Sequence, residues 1–355
     1  MKKLIVLTFL SSVLIMCKSP NDKKNVQSEE SATQTEKTNY EIKTAETVFS
    51  SHDIRPGNLA VTTNGRIFVT MNPLVSPTTK VFEINKDGKN VAYPNAEYST
   101  GENSNLKAVI GIRADSKDNL WLLDMGTKQF VVWDTKNEKL VKTIAIPEAV
   151  VKPASFLQDF IIDEKHNRVI IADMTQGDLK SAPEPAFIVI NTENGEAKRM
   201  AQNHPSMMPE TEGGFALNPI AVDPNFNYVY FGALNGRTIY RVAASSFVDE
   251  ETLTNGIEKF GDKSFSDGIE VDANENVYVT TIEKTEIGVY NKNDGFKTLA
   301  TLPEGQSWPD GLYVANDGYV YGTIDQLNRT AALNNGEDVS TGPYLVVKTK
   351  LLKQR

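Results

Sequence analysis

"FSDGIEVDANENVYVTT" (residues 265–281) and "WPDGLYVANDGYVYGT" (residues 308–323) are two spellings of one pattern. Each opens on Asp-Gly, at Asp267 and Asp310, and closes on a short β-branched and aromatic run. Four more copies align with them. Their first halves read "GNLAV" at Gly57, "IGIRA" at Ile110, "QDFII" at Gln158 and "NPIAV" at Asn218. The second halves place Phe68, Trp121, Ile170, Tyr230, Tyr278 and Tyr321 at one position, 11, 11, 12, 12, 11 and 11 residues after the opening residue. The halves are bounded by Asn, Asp, Gly and Lys, as in "TNG" at Thr63 and "ANDG" at Ala315, so they read as strands joined by hairpin turns. Third strands follow, such as "KVFEIN" from Lys80 and "AFIVIN" from Ala186. No long stretch carries a helical period.

Copies begin 53, 48, 60, 49 and 43 residues apart. Repeats of that length, each built from three or four antiparallel strands, define an all-β six-bladed propeller. "AETVFSS" from Ala45 and "PYLVVKTKLL" after Gly342 have no copy of their own. Both are expected to complete the last blade, closing the ring and removing its edges.

The ends and the composition set the frame. Lys2 and Lys3 precede an apolar run, Leu4 to Met16, too short for a permanent membrane span; it reads as a secretory signal. Cys17 is the only cysteine and follows at once, so Leu14-Ile15-Met16-Cys17 resembles a lipobox, with Met16 where a small residue is usual. Residues 18–42 are polar and charged and read as a flexible tether. Residues 43–355 are the propeller. The expected setting is an exported lipoprotein of the cell envelope, periplasmic or outer-surface, otherwise a secreted protein. It is expected to be a monomer that touches the membrane only through its N-terminal lipid. A net charge of −9 argues against a nucleic-acid partner.

In a propeller the first strand of each blade lines the central channel, so its opening residue sits at one mouth. That places Gly57, Asn58, Ile110, Gln158, Asp159, Asn218, Asp267 and Asp310 in an inner ring. The second strand returns to the same mouth and places Asp124, Asp173 and Thr281 further out. The long connections 174–185 and 325–342 open there and could wall a pocket. Trp308 stands just before a channel strand and could line the mouth.

Two readings of this ring stand side by side. In one, Gln158, Asn218, Asp267 and Asp310, with Asp124, Asp173 and Trp308, hold a small polar or cationic ligand. In its metal form, Asn218 and Asp267 bind a divalent cation such as Ca, Zn or Mn, since hard cations take oxygen ligands. In the other, each Asp accepts backbone hydrogen bonds from the neighbouring blade and the glycine after it permits a tight turn. The histidines, His52, His166 and His204, show no metal spacing, and no nucleophile elbow or phosphate-binding loop occurs.

"RPGNLAVTTNGRIFVT", "GIRADSKDNLWLLDMG", "SFLQDFIID", "YVYFGALNGRTIYRV", "FSDGIEVD" and "WPDGLYV" together resemble the royal jelly and Yellow protein family in its bacterial branch, from about Arg55 to Arg329. The resemblance implies a six-bladed propeller. It also implies secretion in the insect members, some of which bind small amines in the channel and some of which are linked to dopachrome conversion. A more distant likeness is to gluconolactonase and senescence-marker propellers, where a Glu, an Asn and an Asp hold a divalent metal. Asn218 and Asp267 match the latter two by position. Pro219 stands where a glycine is usual, and Gly57 and Asn58 stand where the Glu is expected. Three functions remain open: binding of a small polar or cationic molecule, metal-assisted hydrolysis or isomerisation of a lactone or ester with Asp310 moving the proton, and a scaffold displaying loops to a protein partner.

Overall fold

The computed structural model describes residues 42–353 apart from Lys86. The signal, Cys17 and nearly all of the tether lie outside the described residues. Ile42–Arg355 forms one compact unit.

Six antiparallel sheets stand around an axis, one for each sequence repeat. Their innermost strands are Pro56–Val61, Val109–Ala114, Leu157–Asp163, Leu217–Val222, Ile269–Val271 and Pro309–Val314. We number the blades 1 to 6 in that order. Two short α-helices, Ala96–Ser99 and Glu250–Gly256, interrupt an otherwise β chain. Among the described residues no helix is long and apolar enough to cross a membrane.

The ring closes as the unpaired terminal strands predict. Glu46–Ser51 lies antiparallel to Tyr344–Lys350 and becomes the outer strand of blade 6, with Glu46 opposite Lys348 and Ser51 opposite Tyr344. Two residues that the sequence reading leaves next to the tether add a detail. Lys43–Thr44 runs parallel to Gly295–Thr301 on the edge of blade 5, so the chain entering the ring touches two blades.

The core lies between the blades. Alternate residues of blade 3 (Ile161, Ile170, Phe187) pack on those of blade 4 (Leu217, Ile220, Phe231), all fully or nearly fully buried. Phe187 meets Phe231 edge to face at 5.0 Å. This is the face-to-face packing of pleated sheets whose side chains alternate sides. The aromatic column seen in the sequence belongs to this core; the Tyr230 hydroxyl donates to Glu275 of the next blade, and three other polar tips are anchored within their own blade. Trp121 donates to Asp115, Tyr278 to Asp272 and Tyr321 to Asp317.

One irregularity recurs near the axis. The innermost strands of blades 1, 2, 3, 4 and 6 each slip register against their neighbour, as between Pro56 and Leu59 and between Pro309 and Leu312. A bulge leaves backbone groups without a ladder partner. A threonine at the end of the second-strand motif supplies one. Thr70 Oγ1 accepts from Asn58 N at 3.0 Å and donates to Ile110 O of the next blade at 2.8 Å. Thr323 Oγ1 does the same between Gly311 N, at 2.9 Å, and Gly57 O, at 2.8 Å. These two hydroxyls tie the bulges of blades 1 and 6 to the neighbouring blade.

Candidate functional site

The mouth brings together Gln158, Asn218, Asp267, Trp308 and Asp310, as the repeat arithmetic predicts. Asp267 is 4% exposed and accepts three hydrogen bonds. Gln158 Nε2 and Asn218 Nδ2 reach its Oδ1 at 2.9 and 2.8 Å, and Trp308 Nε1 reaches its Oδ2 at 2.7 Å. Trp308 holds this pose with φ of 54°, in the left-handed region that a bulky residue seldom adopts. Burial pushes Asp267 up to about 6 against the pull of Trp308 and Asn218.

Two further residues complete the mouth that the sequence reading did not single out, Asn72 and Asp325. Asn72 Nδ2 bridges the carboxyl groups of Asp325 and Asp310, donating to Asp325 Oδ2 at 3.1 Å and to Asp310 Oδ2 at 3.4 Å. Two buried carboxylates held by one amide repel each other, which favours the protonated form of one of them. Burial, then the charges of Asp267 and Asp325, hold Asp310 well above the usual carboxylate range. Burial pushes Asp325 up to about 7. Among the described residues no lysine or arginine pairs directly with the three. Lys263 is the positive group whose field reaches Asp267, and burial pushes its own amine down to about 7.

Asp124 and Asp173 behave differently. Asp124 turns into its own loop and accepts from Lys107 N, Ala108 N, Gly126 N and the Thr127 hydroxyl. Asp173 accepts from Phe156 N, Thr175 N, the Ser155 hydroxyl and Arg199. Both carboxylates are fully buried and committed to fixing loops. Asn72 and Asp325 follow the aromatic position of their blades by four residues, Asp124 and Asp173 by three. That one-residue offset, at the end of a strand, is the signal that separates the two sets.

The other side of the mouth is apolar. Phe156, Met174 and Ala216 form a buried cluster with Leu74, Met125 and Phe215 packed on it. Each flanks the mouth end of a first or second strand in blades 1 to 4. The acidic residues thus come from blades 5 and 6, and the Phe and Met residues from blades 1 to 4.

Below the mouth the channel is blocked. Arg113, in the innermost strand of blade 2, reaches across it to three other blades. It donates to Phe160 O and Asp159 of blade 3 at 3.1 and 2.9 Å, to Ile220 O of blade 4 at 3.3 Å, and to Glu270 of blade 5. Burial pushes Glu270 up to about 7 against the pull of Arg113, and raises Asp159 as well. Arg113 and its partners thus form a charged plug across the channel beneath the mouth.

Among the described residues two buried polar atoms near the mouth have no partner, Asn218 Oδ1 and, just before Asp267, Ser266 Oγ. Asn218 Oδ1 is buried beside Asp267 and accepts nothing among the described residues. A buried acceptor left unmatched costs free energy unless something outside the chain supplies a donor. The arrangement suits an ammonium better than a divalent cation. Both Asp267 oxygens already face N–H groups, burial raises Asp310 and Asp325 toward their protonated forms, and Asn58 turns its oxygen onto Leu59 N. Among the described residues no three His, Cys, Asp or Glu side chains gather as cation ligands.

A six-bladed ring with a buried acidic mouth over a plugged channel is the class that fold and site define. Residues 107–341 match the major royal jelly protein family, and the chain belongs to it. "Major royal jelly protein 9" of Apis mellifera is 35% identical over a stretch covering 24% of each chain, so the chain spans about a quarter of that relative's length. Among solved structures, a gluconolactonase of Xanthomonas campestris superposes with a TM-score of 0.56 at 12% identity, over 84% of this chain and 88% of that one. A calcium-binding regucalcin of Agrobacterium tumefaciens gives 0.56 at 12% identity, over 86% and 94%. Identities that low show the shared propeller fold and nothing finer.

Proposed function

We propose that this chain is a binding protein whose mouth takes a small organic cation with an apolar body. The ammonium lies against Asp267 and the Asp310–Asp325 pair and donates to Asn218 Oδ1. The body rests on Phe156, Met174 and Phe215, with Trp308 at the rim. The observation that carries this reading is the unpartnered Asn218 oxygen inside a buried, acidic pocket with one apolar side. The exported setting, with a lipid on Cys17, is part of the same proposal and rests on the sequence of residues 1–42.

Calorimetric titration with phenethylamine tests it, with phenethyl alcohol as the neutral control. The amine should bind and the alcohol should not. Asp267→Asn should weaken the amine by about tenfold or more, the scale of a lost charge-assisted contact. Affinity should also rise from pH 5 to pH 8. Asp267 and the pair hold protons at the acid end, and a cation must displace that charge neutralisation to bind. Equal affinity for alcohol and amine, or no change in Asp267→Asn, would sink the proposal. The gluconolactonase-like alternative, a metal-assisted hydrolase, is favoured by the same free oxygen on Asn218, now read as a metal ligand. It requires a stoichiometric metal in the purified protein and a melting temperature that falls with EDTA.

A further inference from the structure

A second cavity lies at the seam of the ring, between blade 6 and blade 1, away from the channel axis. Its volume is about 460 Å³, within the range of small-molecule sites. Ile54, Met71, Val75 and Phe82 give it apolar walls, and Arg55 and Tyr344 stand at one side.

Arg55 is 6% exposed. Its guanidinium stacks on the Tyr344 ring at 4.3 Å. One terminal nitrogen, Nη2, donates to Ser340 Oγ at 2.5 Å and to the Tyr344 hydroxyl. The other, Nη1, is buried and has no hydrogen-bond partner among the described residues. Among the described residues no carboxylate answers the charge at contact distance. Asp338 feels the field of Arg55 but is exposed and accepts from Ser340 instead. Asp53 lies on the cavity rim, where Ser51 Oγ accepts from its backbone N–H.

A buried guanidinium with an open N–H and no counter-ion is costly as it stands. Elsewhere in this chain a buried arginine is matched: Arg113 by Asp159 and Glu270, and Arg168 by Asp163. Among the described residues Arg55 is the exception, and it borders a cavity whose lining is part apolar (Ile54, Met71, Val75, Phe82) and part polar (His52, Thr78, Asn90). A single positive charge beside an apolar wall, with Asp53 on the rim, suits a monoanion with an aliphatic tail and disfavours a dianion. A planar guanidinium also matches a carboxylate in geometry.

We propose that the cleft between the last and first blades binds a small apolar carboxylate, its head group on Nη1 of Arg55 and its tail against Met71, Val75 and Phe82. This site is separate from the cation mouth and does not depend on it. Bound ligand would cross-link the two blades that close the ring.

The test is a titration of the full chain with hexanoate, followed by ligand-observed NMR and by thermal shift, with hexylamine and inorganic phosphate as separate arms. Hexanoate should bind saturably and raise the melting temperature. Arg55→Gln should weaken it by about tenfold or more, the loss expected for a charge-assisted pair. Thr78→Trp, at the exposed rim, should weaken it comparably by filling the cleft while leaving Arg55 in place. If Arg55→Gln fails to fold, Thr78→Trp decides. Non-saturable hexanoate signals overturn the proposal, as does equal binding by wild type and variants. Binding of phosphate alone would overturn it too. Hexylamine reports on the mouth, so its failure bears on the cation reading and leaves this one intact.

Discussion

Arg113→Met is expected to cost about 3–5 kcal/mol of folding stability, the range for removing one partner of a buried ion pair. The side chain holds Asp159 and Glu270 and two carbonyls from different blades. Without it, two carboxyls remain in the channel with no cation between them. The cost should depend on pH in a defined sense. Loss of Arg113 removes the group that holds both acids down, so their folded-state pKa values rise further above the unfolded ones. Protons then stabilise the variant's folded state, and its stability falls as pH rises through the raised values. Urea unfolding at pH 5 and pH 8 should therefore show the larger gap from wild type at pH 8. Arg113→Met combined with Asp159→Leu and Glu270→Leu should recover most of the loss, because an apolar plug of similar volume needs no counter-charge. A gap below about 1 kcal/mol, the scale of an exposed pair, would show that water reaches the plug.

Gly268→Ala is expected to destabilise by about 3 kcal/mol, at the upper end of overpacking effects. A Cβ at this position would lie 2.2 Å from Asp310 O and 3.1 Å from Leu312 N. Both atoms are backbone of the neighbouring innermost strand, so no rotamer change relieves the clash. Gly311 shows the same demand one blade on, where a Cβ would lie 2.3 Å from Asn58 Oδ1 and 2.8 Å from Asn58 Cα. Gly322→Ala is the contrast. Its nearest neighbour is the Leu312 side chain at 3.2 Å, and it should cost about 1 kcal/mol or less. Because Gly268 follows Asp267, its alanine variant should also lose amine binding. Equal melting temperatures for Gly268→Ala and Gly322→Ala would contradict the packing account.

These glycines show where sequence reasoning stopped. The repeat made six blades legible because strand alternation, hairpin turns and an aromatic position recurred together, and any one blade resolved doubt about another. The unpaired terminal strands made the closure legible for the same reason. The role of the glycine in Asp-Gly was not legible. It reads as turn chemistry, yet Gly268 meets Asp310 and Gly311 meets Asn58, where one innermost strand approaches the next, and local patterns do not encode contacts between segments so far apart in the chain. Asp267 and Asp310 could be placed at the mouth by counting. Asp325 entered only as the first residue of the 325–342 connection and Asn72 not at all, since the two lie one residue beyond their strands and meet only when blade 6 closes on blade 1. The plug was within reach. Arg113, Glu270 and Tyr313 each follow the opening residue of their repeat by three, so aligned copies put an arginine and a glutamate at one level of the channel.

The closure has a bearing on how the protein comes into being. The strand Glu46–Ser51 is among the first described residues to be synthesised, and its partner Tyr344–Lys350 is among the last. Blades 1 to 5 can pair their own strands as they emerge, because each is a local meander. Blade 6 must wait until Tyr344–Lys350 has been made, and the loop it closes is nearly the whole domain. Until then the Asp310–Asp325 pair has no Asn72 beside it, and Arg55 has no Tyr344 to stack on. Both pockets are therefore products of the final folding event, and neither can exist on a nascent or truncated chain.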